Sequence, residues 1–249
     1  MEEMTLLSNN YHLAIISSGR PKNMIAMHEH LENTECTWYV GHGEKQQYLE
    51  YNPNNIAYKI KESGKLIESR NQAITDALNN QKDLVMIDDD LVRIKLKALD
   101  QPTVISLYTA IKLMQDALYI QDQIHLAGIA PTANEFYYPN RPFDTDKFLI
   151  SAMLYIRNPI TIYFDNNMTL KEDYDYTLQH IAQFGGALRC NQILANFKHY
   201  GNQGGVKPIR NMQEEQKNIA YLKQKWGNKV IKDNKRRPNE ILLRIPKTK

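Results

Sequence analysis

The hydrophobic run Leu84-Val85-Met86-Ile87 ends against three consecutive aspartates, Asp88-Asp89-Asp90. A short apolar run of this kind reads as a buried strand. Three adjacent carboxylates repel one another unless a cation or hydrogen-bond donors lie between them. The triplet is therefore expected where a strand leaves the core, at an edge open to a counter-charge. In extended backbone alternate side chains share a side, so Asp88 and Asp90 are expected to point together. Hard carboxylate oxygens suit Mg²⁺ or Mn²⁺, which commonly bridge one or two carboxylates to a substrate's phosphates. Standing alone, the triplet reads only as an acidic turn closing a strand.

The residues before it set the frame. Leu13-Ala-Ile-Ile-Ser17, closed by Ser18-Gly19-Arg20-Pro21, and Thr37-Trp-Tyr-Val40, closed by Gly41-His-Gly43, each read as a strand ending in a loop. Ile56–Ile60 alternates as a third strand, Leu66–Leu78 has the spacing of an amphipathic helix, and Asp83–Ile87 is a fourth strand. Strand, loop, helix and strand in this rhythm predict an α/β fold with a mixed, mostly parallel central sheet, flanked by helices and carrying ligand loops at strand ends.

The second half is less regular. A helix is predicted from Thr103 to about Ile120, followed by loop-like segments at Gly128–Thr132 and Tyr137–Pro142. Phe148–Phe164 reads as two strands or one interrupted at Asn158-Pro159. Thr169-Leu-Lys-Glu172 has the form of a capping box, opening a helix that runs to Gly185-Gly186. Leu188–Phe197 is a further strand. Asn211-x-x-Glu214 caps a helix with Met212, Ile219, Leu222 and Trp226 inward, and Glu240–Ile245 is a last strand. With no repeat and no long linker, one domain over 1–249 is expected, its nucleotide half at about 1–100 and its acceptor half at about 101–249.

Composition excludes several classes. At 42% hydrophobic and 24% charged residues, neither wholesale disorder nor a coiled coil fits. No apolar run approaches the ~20 residues that span a bilayer, and the acidic start Met-Glu-Glu-Met-Thr is unlike a secretory signal. Cys36 and Cys190 lie far apart without zinc spacing, so a reducing, cytoplasmic setting without membrane association is the expectation. Phosphate-loop, dinucleotide and nucleophile-elbow signatures are missing, which disfavours common NTPases, dehydrogenases and hydrolases. His28-x-His30 reads as a surface pair without a third metal ligand. Residues 223–249 carry ten Lys/Arg against two acidic residues, whereas the rest of the chain is net acidic. A basic end on an acidic body suits a phosphate backbone, as it also suits a solvated tail.

Taken together, Ile16-Ser-Ser-Gly-Arg-Pro21, Arg70-Asn71 and the Asp88-x-Asp90 (DxD) triplet resemble the nucleotide-sugar half of GT-A fold glycosyltransferases. That resemblance implies a nucleotide-sugar donor contacted by Ser18, Gly19, Arg20, Pro21, Arg70, Asn71, Asp88 and Asp89. It also implies Mn²⁺ or Mg²⁺ held by Asp88, Asp90 and the late histidine, His199. Leu170-Lys-Glu-Asp-Tyr-Asp175 looks like the family's acidic segment beside the acceptor, which makes Asp173 the candidate base with Glu172 next to it; the competing reading is a helix cap favoured by the helix dipole.

Leu170–Val206 is similar to a narrower group, the phage-type glycosyltransferases associated with TET/JBP oxygenases, through Lys171–Tyr176, Gly186–Cys190 and His199–Gly205. This likeness implies a hydroxymethylated pyrimidine in DNA as acceptor, a UDP-sugar donor, and base stacking on Tyr137 and Tyr138. Two other readings stay open: a nucleotidyltransferase on a similar scaffold, and a noncatalytic DNA-binding module.

Overall fold

A computed structural model describes residues 10–31, 34–52, 58–97, 101–137, 139–198, 205 and 209–245. The first half follows the expected rhythm: β1 (Tyr11–Ile16), α1 (Asn23–Leu31), β2 (Thr37–Val40), α2 (Lys45–Glu50), β3 (Lys59–Glu62), α3 (Leu66–Asn79) and β4 (Asp83–Asp88). Then come β5 (Leu91–Leu96), β6 (Thr103–Ile105), α4 (Leu107–Ile120), β7 (Leu126–Ile129), β8 (Phe143–Asp144) and β9 (Ile150–Ile156). The chain continues through α5 (Glu172–Phe184), β10 (Leu188–Cys190), β11 (Ile193–Phe197), α6 (Met212–Trp226), β12 (Ile231–Asp233) and β13 (Ile241–Leu243).

Eight strands form the main sheet in the order β3-β2-β1-β4-β9-β7-β10-β8. β3, β2, β1 and β4 run parallel, and β9 lies antiparallel between β4 and β7. Period-2 alternation divides the core. Leu13, Ile15, Val85 and Ile87 face α1 and α4, while Ala14, Ile16, Leu84 and Met86 face α3. Burial on both faces explains why β1 and β4 are continuous apolar runs. This is the mostly parallel, helix-flanked sheet expected of a GT-A-like domain. Smaller sheets hold β11-β5-β6 and the β12–β13 hairpin. Among the described residues no helix is long and apolar enough to cross a membrane, and Cys36 and Cys190 are buried free thiols.

Several local expectations are corrected. Thr103–Ile105 is a β-branched strand rather than the start of a helix, and the helix begins after Ser106, whose hydroxyl accepts from the Thr109 amide at 3.1 Å. Gly128 lies inside β7, not in a loop; a Cβ there would come 2.8 Å from Leu154 Cδ2, so the glycine admits a neighbouring side chain. Leu91–Leu96 and Ile231–Asp233 are strands that were not expected. The third strand lies later than Ile56–Ile60, of which residues 56 and 57 fall outside the described set. Only Ile150–Ile156 of the Phe148–Phe164 stretch is strand. Leu188–Phe197 splits between two sheets. Met212, expected inward, is 55% exposed. The Thr169 capping box does not form: the Thr169 hydroxyl bonds Glu214 on α6, and Lys171, at φ +61°, precedes the first turn of α5.

His180, on α5, is 1% exposed between Tyr176 and Phe184, and neither ring nitrogen has a partner among the described residues. Burial, reinforced by His125, pushes its pKa down to about 3. The unfolded chain therefore binds a proton there that the folded one refuses, and stability falls as pH drops from about 6.5 toward 3. Acid unfolding of His180→Leu is expected to lose up to ~1.4 kcal/mol per pH unit of that dependence. Denaturation midpoints of both proteins measured from pH 7 to pH 4 check this; parallel curves would overturn it.

Candidate active site

The parallel strands β1, β2 and β4 all end at one edge of the sheet, so their following loops converge. Asp88, the last residue of β4, continues the alternation onto the α3 face, where Arg70 Nη2 donates to its Oδ1 at 3.1 Å. The chain turns at Asp89-Asp90, so Asp88 and Asp90 pair with different arginines. Instead Asp89 and Asp90 both face Arg20, with Nη2 2.7 Å from Asp89 Oδ1 and Nη1 3.5 Å from Asp90 Oδ2. Asp89 is 1% exposed, and burial pushes its pKa up to about 7; Arg20 and the Ser17 hydroxyl oppose that rise, while Asp90 and Asp88 add to it.

The loop after β1 is held from below by residues not foreseen in the sequence. The Glu44 carboxylate accepts from the Ser18 hydroxyl at 3.1 Å, the Gly19 amide at 2.9 Å and the Gly41 amide at 3.1 Å. The Tyr48 hydroxyl accepts from the Arg20 amide at 3.1 Å and bonds Ser17, whose hydroxyl also donates to Asp89. Gly19 takes φ +66°, a left-handed conformation natural to glycine. Pro21 starts the turn into α1, its carbonyl accepting from the Met24 amide at 3.1 Å. A glutamate just past a Gly-x-Gly turn was the available signal, but nothing local distinguishes it from a helix-starting acid.

Arg70 and Asn71 are turned inward. Arg70 is 2% exposed; besides Asp88 it donates to the Ser151 carbonyl at 2.7 Å, lies over the Phe164 ring and reaches Glu172 at 3.6 Å. The Asn71 amide is joined to the Phe164 backbone at 2.9 and 2.8 Å and to Asn166 at 3.1 Å. Because β9 runs antiparallel, its beginning near Ser151 lies at the edge where β4 ends. Arg70 thus joins the triplet to the start of α5. There burial raises the Glu172 carboxyl, with Arg70 opposing, while burial and then repulsion from Glu172 raise Asp173. Asp175, one turn on, is an internal tie: it accepts from Trp226 Nε1 at 2.7 Å and pairs with Lys225 at 2.9 Å.

Four carboxylates, Asp88, Asp89, Asp90 and Glu172, therefore share two guanidiniums. That excess of hard carboxylate oxygen suits a divalent cation. Among the described residues no three His, Cys, Asp or Glu side chains converge as ligands, and His199 lies outside those residues. The chain on either side of the intervening segment is fixed at the site: the Lys198 amide donates to the Asp90 carbonyl at 2.9 Å, and the Gly205 amide to the Ser18 carbonyl at 3.0 Å. Tyr137 is 69% exposed beside Phe136 in a turn of 3-10 helix, and Tyr138 is outside the described residues. His28 bonds the Tyr58 hydroxyl at 2.8 Å. A cleft of about 420 Å³ opens at the opposite, amino-terminal ends of the strands, but its Lys59 and Lys61 are paired with Glu35 and Asp76.

An acid triplet at a strand end and a carboxylate pair at a helix start, linked by one arginine, thus lie within one corner. The chain is a glycosyltransferase. It belongs to the TET-Associated Glycosyltransferase family, whose model matches residues 11–206 and so includes this whole corner while stopping short of α6 and the hairpin. No curated protein sequence matches the chain.

Proposed function

We propose that this glycosyltransferase moves a sugar from a nucleotide-sugar donor, a UDP-sugar, to the hydroxyl of a hydroxymethylated pyrimidine in DNA. Mn²⁺ or Mg²⁺ would be held by Asp88, Asp90 and His199. The observation that supports the reading is the Arg70 link between Asp88 and Glu172, which joins the triplet to the start of α5 in one corner. Bound there, the divalent cation supplies positive charge to the departing diphosphate.

The protein's own groups divide the remaining work. Arg20, 17% exposed at the mouth, adds a guanidinium for the phosphates, and the Ser18–Pro21 loop borders the nucleotide. Arg70 and Asn71 shape the corner from behind, their polar atoms being committed to protein partners. Asp173 takes the proton of the acceptor hydroxyl as that oxygen bonds to the sugar carbon and the bond to the diphosphate breaks. Tyr137 offers ring surface to an extruded base; Tyr138, outside the described residues, keeps its sequence-based assignment as a second stacking partner. The DNA acceptor draws support from the basic residues 223–249 and from the family's association with TET proteins.

A thermal-shift titration tests the core of this reading. Mn²⁺ with the correct nucleotide sugar is expected to stabilise the protein by ~2.7 kcal/mol at a hundredfold excess over Kd. Asp90→Ala is expected to fold yet lose that shift, and an undiminished shift in the variant would sink the metal assignment. Release of a nucleoside diphosphate rather than pyrophosphate separates sugar transfer from nucleotidyl transfer.

A further inference from the structure

The C-terminal segment beyond the family match builds a small unit against the acceptor side of the site. α6 and the β12–β13 hairpin bury Ile219, Leu222, Ile231 and Ile241 against Met168 and Leu178, the latter on α5. Strand pairing fixes which way the hairpin faces. Ile231 opposes Leu243 and Asp233 opposes Ile241, with Ile231 and Ile241 turned to the core, while Lys232 opposes Leu242 on the other side. Arg244, two residues after Leu242, shares that outer side, and the connecting turn carries Lys235-Arg236-Arg237.

Few of these cations are neutralised. Asp233 pairs with Lys223 at 2.6 Å and Glu240 with Arg237 at 3.0 Å. Lys229, Lys232, Lys235, Arg236 and Arg244 have no carboxylate partner among the described residues. Leu242 is the one large apolar side chain of the hairpin that is exposed, so the surface lacks the apolar wedge that a bilayer would bury.

The hairpin is fastened to the catalytic corner at one point. Lys171 Nζ donates to the Asn239 carbonyl at 2.6 Å and pairs with Glu215 of α6 at 2.6 Å. Lys171 is the residue immediately before Glu172-Asp173, and Gln216 of α6 holds the adjoining Pro238 carbonyl at 2.7 Å. The basic turn is thereby fixed to the segment that presents the acceptor-side acids.

We infer that the β12–β13 hairpin with its flanking residues is a nucleic-acid backbone clamp, whose five cations without a carboxylate partner among the described residues hold the phosphates of the acceptor strand alongside Asp173. The direction of the strand toward Asp173 rests on the proposed role of that residue; the phosphate contact itself does not. Lys and Arg contacts to phosphate release counterions, so each contact steepens the salt dependence of binding by ~0.9.

The test uses the full chain and a labelled DNA duplex, with affinity read by fluorescence anisotropy across a salt series. Charge reversal of three exposed residues, Lys235→Glu, Arg236→Glu and Arg244→Glu together, is expected to weaken binding more than tenfold. The slope of log affinity against log salt should become shallower by about 2–3. The melting temperature should stay near that of the parent, because none of the three packs into the core. Equal affinity and slope in the two proteins would overturn the clamp while leaving DNA as acceptor. Tighter parental binding to anionic lipid vesicles than to duplex would also overturn it. A hairpin-dependent DNA affinity in a protein that transfers no sugar to DNA would uphold the clamp and remove the acceptor reading.

Discussion

Asp173→Asn is expected to lower kcat by ~10²–10⁴, the usual worth of a positioned general base, with the KM for the donor little changed. Burial and the neighbouring Glu172 raise the Asp173 carboxyl above the ordinary carboxylate range. A base works only when deprotonated, so parental activity is full above this raised pKa and falls about tenfold per unit below it. The acid limb of the parental pH profile should therefore lie well above pH 4, and it should vanish in the asparagine variant. A variant that keeps either its rate or that limb places the base elsewhere. The Tyr174 amide, 2.9 Å from Asp173 Oδ1, can also bond an amide oxygen, so the substitution leaves the start of α5 in place.

The second large effect is on stability. Arg70→Ala is expected to cost ~3–5 kcal/mol, the range found when one partner of a buried ion pair is removed. The loss has three sources: Asp88 and Glu172 lose their counter-ion, the Ser151 carbonyl loses its donor, and the Phe164 ring loses a packed guanidinium. Arg70→Lys keeps the charge but not the planar fork that reaches Ser151 and Asp88 together, so its loss should be intermediate. Denaturant midpoints at constant slope measure both. A cost below ~1 kcal/mol for the alanine variant would mean that the arginine faces solvent rather than bridging the two acids.

The sequence made the parallel half of the fold legible because burial on both faces writes continuous apolar runs, and Leu13–Ser17, Thr37–Val40 and Asp83–Ile87 are such runs. β7 was hidden because Gly128, needed for the approach of Leu154, looks the same as a turn glycine. The helix was placed too early, at Thr103, because Val104 continues the apolar spacing of α4 although it pairs with Lys95 in a sheet. At the site, the triplet and the Glu172-Asp173 pair could be found because like charges in sequence demand an explanation. Glu44 and Tyr48 could not, since their importance comes from a fold that carries them under the Ser17–Arg20 loop. Arg70 was recognised as a residue of the corner, but only its burial shows that it turns toward Asp88 and Glu172.

The antiparallel insertion of β9 bears on how the molecule is made. A nascent chain that has left the ribosome as far as Asp90 can already pair β1, β2, β3 and β4, with the triplet at their edge. The counter-charge for Asp88 is then in place on α3, but Ser151, Glu172 and Asp173 are not yet synthesised. β4 stays an open edge until β9 arrives more than sixty residues later. Competence for chemistry is thus a late event in translation, and until then the exposed flank of β4 adds a second edge, beside that of β3, at which the growing polypeptide can pair with a neighbour.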